Sequence, residues 1–560
     1  MSTADPLAAR RTGKPFSRRT DRPEWAATWL QRAIGAGLCL LVLGILVHPQ
    51  TPNNGYDRWV VTLATLLIAA AAWFVPRRLR PVGTPWDPRR WTRIGAATWC
   101  AGGVLALYEA YFSGYHVSWD AGVVKQAAQL PRAQFTPFLV QYFSRFPNNA
   151  ALMAVDRLVW HVQHATGVGF DASYALLNSV LFLIASGLLY LTVRVVRGAA
   201  WAVVALLLMD FLVGASAWMS VPYTDLLALW TPIGAVLLLI ATLRSSGWRG
   251  PVLAALAGVA LGIGYQVKVT PVVGLVAFAI TALFAAMRRG RAGRLVLLGA
   301  VAAAVLAFLA ASSLTSTASE RLSGAEPLTS SHAASPIVYM AQGLRVQYIP
   351  DDRIKMIGGY DGAIDRGTYD MTGEQQARVA RAAISRRLRE LGPGGLVRFE
   401  ANKMAFNWGD GMFWAHGEGL DMSRPPTRTG AAARPAVAWS FPGHGLYRLH
   451  VDLANTVWFG LLLLTGLGLL RSRYSPEVLL LALTVVGIAV FVLLFQGRSR
   501  YLLGHVPVLI ALACALVPHR AAHRTAVDGR RGSPVRSRPA VSMATPIRWS
   551  AGRATTRDTT

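Results

Sequence analysis

The sequence predicts an all-α, multi-pass membrane protein with about twelve transmembrane helices and a mainly helical extracytoplasmic domain inserted late in the chain. Three observations lead there. The 560 residues are 53% hydrophobic and only 15% charged. The apolar residues come in uninterrupted blocks of roughly the 18 residues that a helix needs to cross hydrocarbon. Between the blocks, Arg-rich connections alternate with connections poor in Arg, which is the asymmetry that orients membrane helices.

In chain order, the basic stretch 1–28 is expected to be a cytoplasmic tail. The first apolar block follows it and has no small-residue cleavage pattern after it, so the block reads as a retained anchor. Spans are expected near 29–47, 58–75, 93–112, 171–193, 199–217, 222–242, 250–265, 268–287, 294–313, 453–470, 476–495 and 501–518. With the N-terminus inside, the connections PRRLRPVGTPWDPRRWTR, RVVRG, LRSSGW, MRRGRAGR and RSRYS all face the cytoplasm, and each is basic. The alternation requires that 149–167, with Asp156, Arg157, His161 and His164, lie on the outer surface as an amphipathic helix rather than cross.

The chain thus divides into an N-terminal membrane region 29–313 with an outer loop at 113–170, an outer segment 314–452, C-terminal helices at 453–518, and a basic cytoplasmic tail at 519–560. Segment 314–452 holds 16 basic and 14 acidic residues, a balance unlike that of the inner connections. Within it, the spacing of Ala377, Ala380, Ile384, Leu388 and Leu391 predicts a helix stopped by Gly392 and Pro393, with a second helix following. Pro and Gly recur between 421 and 444, where a loop is expected.

The net charge of +28 lies in the connections and tails, so it speaks for topology and anionic lipid rather than nucleic acid. Cys39, Cys100 and Cys514 all fall inside apolar blocks, and no disulfide framework or cysteine metal site is indicated.

This topology gathers the out-of-place polar residues at the outer rim. Trp119, Asp120, Arg145, Asn148 and Asn149 belong to the first large outer loop. Tyr223 and Asp225 (VPYTD), Lys268 (GYQVKVTP), Lys403, Trp408 and Asp410 (NKMAFNWGDG), and Arg498, Arg500, Tyr501 and His505 (QGRSRYLLGHVP) come from four further stretches. Charges near lipid normally line a cavity or pathway. Asp210, in LLLMDFLVG, falls near mid-membrane, with its role open.

In the order WDAG, FPNN, YTD, VKVTP, KMAFNWGDG and RSRYLLGHVP, the chain resembles the GT-C superfamily over about residues 93–518. These are membrane glycosyltransferases that use polyprenyl-phosphate-linked sugars, such as protein mannosyltransferases and bacterial aminoarabinose transferases. The resemblance implies a GT-C-like fold in a bacterial plasma membrane, with both termini cytoplasmic and the active site outside. It implies that Asp120 is the general base on an acceptor hydroxyl of a glycan, glycolipid or protein, with inversion at the sugar. Arg498 and Arg500 are the first choice for the donor phosphate, because guanidinium forks match phosphate oxygens. Lys268 and Lys403 come second, and Trp119 or Trp408 is placed to stack on a sugar.

Many relatives carry two adjacent acidic residues in the first loop, whereas Ala121 and Gly122 follow Asp120 here. No cofactor is therefore expected and a divalent metal is not favoured, although Asp225 or Asp410 remains available as a second carboxylate. The alternatives are an O-antigen-ligase or polymerase type of glycan transferase and a twelve-span transporter or lipid flippase.

Overall fold

The computed structural model describes residues 22–50, 55–78, 88–116, 118–324, 330–349, 354–413, 415 and 424–516. The C-terminal tail, most of the N-terminal tail and residues 79–87 lie outside the described residues. The chain opens with α1 (Arg22–Val47), α2 (Arg58–Arg78) and α3 (Pro88–Phe112). Loop 113–170, expected on the outer side, is itself helical, as α4 (Trp119–Ala128), α5 (Pro137–Arg145) and α6 (Ala150–Thr166). There follow α7 (Phe170–Val196), α8 (Ala199–Met209), α9 (Thr224–Leu227), α10 (Trp230–Arg244), α11 (Arg249–Val267), α12 (Val273–Ala286) and α13 (Arg291–Ser323). The outer segment adds α14 (Pro336–Gly343), an antiparallel hairpin of β1 (Val346–Ile349) and β2 (Ile354–Ile357), α15 (Gly362–Gly367), α16 (Gly373–Trp408) and α17 (Arg434–Ser440). The chain then continues through α18 (Tyr447–Arg471), α19 (Pro476–Leu494), α20 (Arg500–Leu503) and α21 (Val506–Leu516).

Among the described residues, seven helices are long and apolar enough to cross a membrane: Glu24–Val47, Phe170–Val196, Thr224–Arg244, Arg249–Val267, Arg291–Ser323, Tyr447–Arg471 and Pro476–Leu494. Four shorter apolar helices accompany them. The difference from the expected twelve has local causes. A π-turn at Asp210–Gly214 ends α8, a turn at Gly504–His505 separates α20 from α21, and α3 carries Arg89, Arg90, Arg93 and Glu109.

Small residues let neighbouring helices approach. On α11, a Cβ at Gly258 would lie 2.2 Å from the Ala304 carbonyl oxygen of α13, and one at Gly262 would lie 2.6 Å from that of Phe308. Without side chains at these two positions, one helical turn apart, the backbones pack directly, which is how helices associate where lipid removes the hydrophobic drive.

Segment 314–452 departs from expectation in two places and agrees with it in a third. α13 runs on to Ser323 before Gly324 (φ 61°) caps it, with Ser316 donating to Glu320 in its polar extension. α16 begins with the Thr372–Gln375 capping box and breaks at Gly392 (φ 61°), where the stop was expected, with Pro393 opening its second stretch. Residues 434–440, expected as loop, are α17. α6 differs too. It is helical as expected, but Asp156 is fully buried, so one face packs inward while His161 and His164 face out.

Arg145 ties the first outer loop to the outer segment. Its guanidinium, 1% exposed, donates to Asp365 Oδ1 (2.8 Å), the Thr368 carbonyl (3.0 Å) and Thr368 Oγ1 (2.9 Å). The Arg145 carbonyl also accepts from Ala334 N–H (2.8 Å). Arg145→Met leaves Asp365 buried without its cation. It is expected to lose about 3–5 kcal/mol of stability, read as a drop in the detergent unfolding midpoint. An unchanged midpoint would mean that this ion pair does not hold the two segments together.

Candidate functional site

The N-terminal half of the site is built at the start of α4. Trp119 takes φ 52°, a left-handed conformation that a bulky side chain adopts only under constraint, and strain of that kind gathers at functional positions. The kink turns the Trp119 ring outward and sets Asp120 in the first helical turn, where unpaired backbone N–H groups favour negative charge. Tyr142 Oη donates to Asp120 Oδ1 (2.7 Å), and Tyr223 Oη donates to Oδ2 (3.0 Å). Asn149 Nδ2 donates to Tyr142 Oη (2.7 Å), and Asn148 Nδ2 donates to Asn149 Oδ1 (3.3 Å). Burial first, then the Asp120 charge, pushes the Tyr142 phenol well above its ordinary range, so it keeps its proton.

α5 delivers Tyr142 because Thr136 caps it, accepting from Leu139 N–H with Pro137 at the first position, and Arg145 anchors its end. Pro147 then starts the single turn that places Asn149.

The other half is the loop after α19. Its backbone is tied to the outer segment, with Gln496 N–H donating to the Tyr339 carbonyl and Gly497 N–H to the Gly358 carbonyl, both at 2.8 Å. Ser499 Oγ donates to Asp410 Oδ2 (2.8 Å). The loop presents Arg498, with Cζ 5.7 Å from the Trp119 ring centroid, and Arg500, with Cζ 4.8 Å from that of Tyr223 and 5.4 Å from that of Tyr501. Both guanidiniums are largely buried. Burial first, then the neighbouring Arg500, lowers the Arg498 guanidinium to about 10, so it stays charged at neutral pH under a repulsion that an anion would relieve. Lys268 forms an ion pair with Asp225 and lies 5.1 Å above the Tyr501 ring. Burial lowers it to about 8, with Asp225 opposing the shift.

Asp120, Trp119, Tyr223, Arg498, Arg500 and Tyr501 thus form one contiguous cluster. Lys268 and Asp225 lie beside it, Asn149 joins through Tyr142, and Asp410 joins through Ser499. The remaining candidates are employed elsewhere. Lys403 is fully buried and donates to the carbonyls of Leu493 (2.7 Å) and Phe495 (2.9 Å), so it caps α19 rather than meeting a phosphate. Trp408 is 2% exposed, stacks on Trp458 and accepts the Trp458 indole N–H at its carbonyl, which makes it core rather than a sugar platform. Arg145 is taken by Asp365, Asn148 acts only on Asn149, and His505 is buried in the turn after α20. Asp210 lies in the π-turn against Gly102, where a Cβ would come within 2.1 Å of its carboxylate. Among the described residues, no group of three or more His, Cys, Asp or Glu side chains is placed to hold a metal.

Tyr142 and Ser499 were missed from the sequence. Tyr142 reads as one more aromatic in the Phe-rich TPFLVQYFSR, and Ser499 carries no signal beyond standing between two arginines.

Residues 97–521, which include both halves of the cluster, match a family described as conserved hypothetical integral membrane proteins. The chain belongs to this family. As a member it is an integral membrane protein in contact with the bilayer, consistent with its seven long apolar helices. No curated protein matches the chain.

Proposed function

We propose that this member of the family is a GT-C-like glycosyltransferase. It moves a sugar from a polyprenyl-phosphate carrier to an extracytoplasmic acceptor hydroxyl of a glycan, glycolipid or protein, with inversion. One observation carries the proposal: Asp120 shares a single cluster with Arg498 and Arg500, although they come from opposite ends of the membrane region. In the reaction, Asp120 accepts the acceptor hydroxyl's proton as its oxygen bonds to the anomeric carbon. The bond from that carbon to the phosphate oxygen breaks with its electron pair, leaving polyprenyl phosphate. Charge grows on that phosphate, and preformed guanidiniums stabilise it there.

In the topology that goes with this activity, the seven long helices and α2, α3, α8, α12 and α21 make twelve crossings of a bacterial plasma membrane, with both termini inside. Support comes from aromatic side chains suited to the lipid–water boundary. Trp25, Trp29 and Trp248 are exposed at the proposed inner ends, and Trp59 at an outer one.

The test is transfer in proteoliposomes, with a polyprenyl monophosphate bearing one radiolabelled pentose or hexose and cell-envelope extract as acceptor. Label should reach the extract and should do so undiminished in EDTA. Label that crosses the bilayer without changing its attachment would make the protein a transporter. Activity lost in EDTA and restored only by a divalent ion would overturn the metal-independent mechanism.

A further inference from the structure

Tyr142 belongs to none of the motifs that led to the cluster, yet it makes the 2.7 Å hydrogen bond to the carboxylate. Its own oxygen receives the Asn149 amide N–H at 2.7 Å. The carboxylate sets the direction of this chain, because it only accepts, and the contact at the far end agrees with it. Asn148 Nδ2 donates to Asn149 Oδ1, which leaves the Asn149 NH2 group to face the phenol. An amide NH2 only donates, so the Tyr142 oxygen must accept from it. The phenol's single proton then has one destination, Asp120. Asn149, Tyr142 and Tyr223 are each no more than 5% exposed, so water does not compete for these bonds.

We infer that Asn149 and Tyr142 form a one-way hydrogen-bond relay that orients the Asp120 carboxylate as a base, with Tyr223 holding its second oxygen. The inference rests on the proposed transfer reaction. An ionised carboxylate offers about four lone-pair positions. The two phenols occupy one on each oxygen and, approaching from different elements, fix the plane of the group. The acceptor hydroxyl then meets a base with a set direction, and proton removal depends steeply on that alignment. Tyr142 and Asn149 are positioning residues, because they act through Asp120. The two asparagines of FPNN thereby acquire distinct roles, Asn149 as donor to the phenol and Asn148 as the residue that selects its amide orientation.

The experiment uses the full chain in native membranes, with the radiolabelled polyprenyl monophosphate sugar that the wild type transfers. Tyr142→Phe, Asn149→Ala, the double variant and Asp120→Asn are compared. Tyr142→Phe keeps the ring and removes one hydrogen bond to a charged group, so kcat should fall roughly ten- to a hundredfold with KM for the lipid donor unchanged. Asn149→Ala should lower kcat less, because the phenol can still find Asp120. In the Tyr142→Phe background it should have no further effect, since the relay is already cut. Side chains that merely pack would instead multiply their losses or change KM and stability together. Asn149→Leu, which lacks a donor, repeats the test if Tyr142→Phe accumulates poorly.

Wild-type kcat in Tyr142→Phe, or full multiplication in the double variant, overturns the relay. If the wild type transfers sugar and Asp120→Asn does not, that outcome leaves the transfer reaction standing. A wild type that transfers nothing overturns both.

Discussion

Asp120→Asn should lower sugar transfer by a factor on the order of 10²–10⁴ while leaving expression and the unfolding midpoint near wild type. The substitution is nearly isosteric, but an amide cannot take a proton from a hydroxyl at neutral pH. It also puts an NH2 group in place of one of the two oxygens to which Tyr142 and Tyr223 donate, at 2.7 and 3.0 Å. The measurement is the initial rate of label transfer in proteoliposomes at matched protein content. A rate within a few-fold of wild type would remove Asp120 from the chemistry and leave the cluster without its base.

Replacing either arginine of the RSR turn should produce the second largest effect. Arg498→Gln and Arg500→Gln are each expected to lower kcat by about 10²–10³, as the loss of one preformed electrostatic donor typically does. The departing phosphate carries more charge in the transition state than in the bound donor, so the loss should fall on kcat more than on KM. Lysine at either position should recover only part of the rate, because a point charge does not reproduce a planar fork held over an aromatic ring, as Arg500 is over Tyr223. Comparing kcat and KM for the lipid donor across the four variants settles the matter. A rise in KM alone would reduce the arginines to binding residues, and no change would place the donor elsewhere.

The helical membrane class was legible because lipid imposes a crude and strong rule: long apolar runs, with Arg between them. The rim residues Asp120, Tyr223, Arg498 and Arg500 were legible for a related reason, since charge beside an apolar run is conspicuous. The structure then brought them together.

Other assignments could not be made from local pattern. Lys403 looks like any cation near the rim, and only its distant partners, the carbonyls of Leu493 and Phe495, show it to be a helix cap. Arg145 likewise depends on Asp365, a partner 220 residues away. Trp408 ends α16 just before a glycine- and aspartate-containing turn, where it reads as a ring placed to stack on a sugar, but Trp458 covers it. Asp156 turns inward while His161 and His164 face out, because periodicity around α6 marks an amphipathic helix without saying which of its polar residues is buried. α17 was invisible among prolines and glycines, and seven residues are too few for a period to show.

Lys403 grips the end of α19 three residues before the last two backbone ties, to Tyr339 and Gly358, give way to Arg498. The outer segment is therefore not a detachable lid over a finished membrane site. α16 is tied through Lys403 to the same stretch of chain that carries the guanidiniums. Under the proposed reaction, an insertion that lengthens the Phe399–Trp408 stretch should therefore lower transfer, although it alters neither Asp120 nor the two arginines.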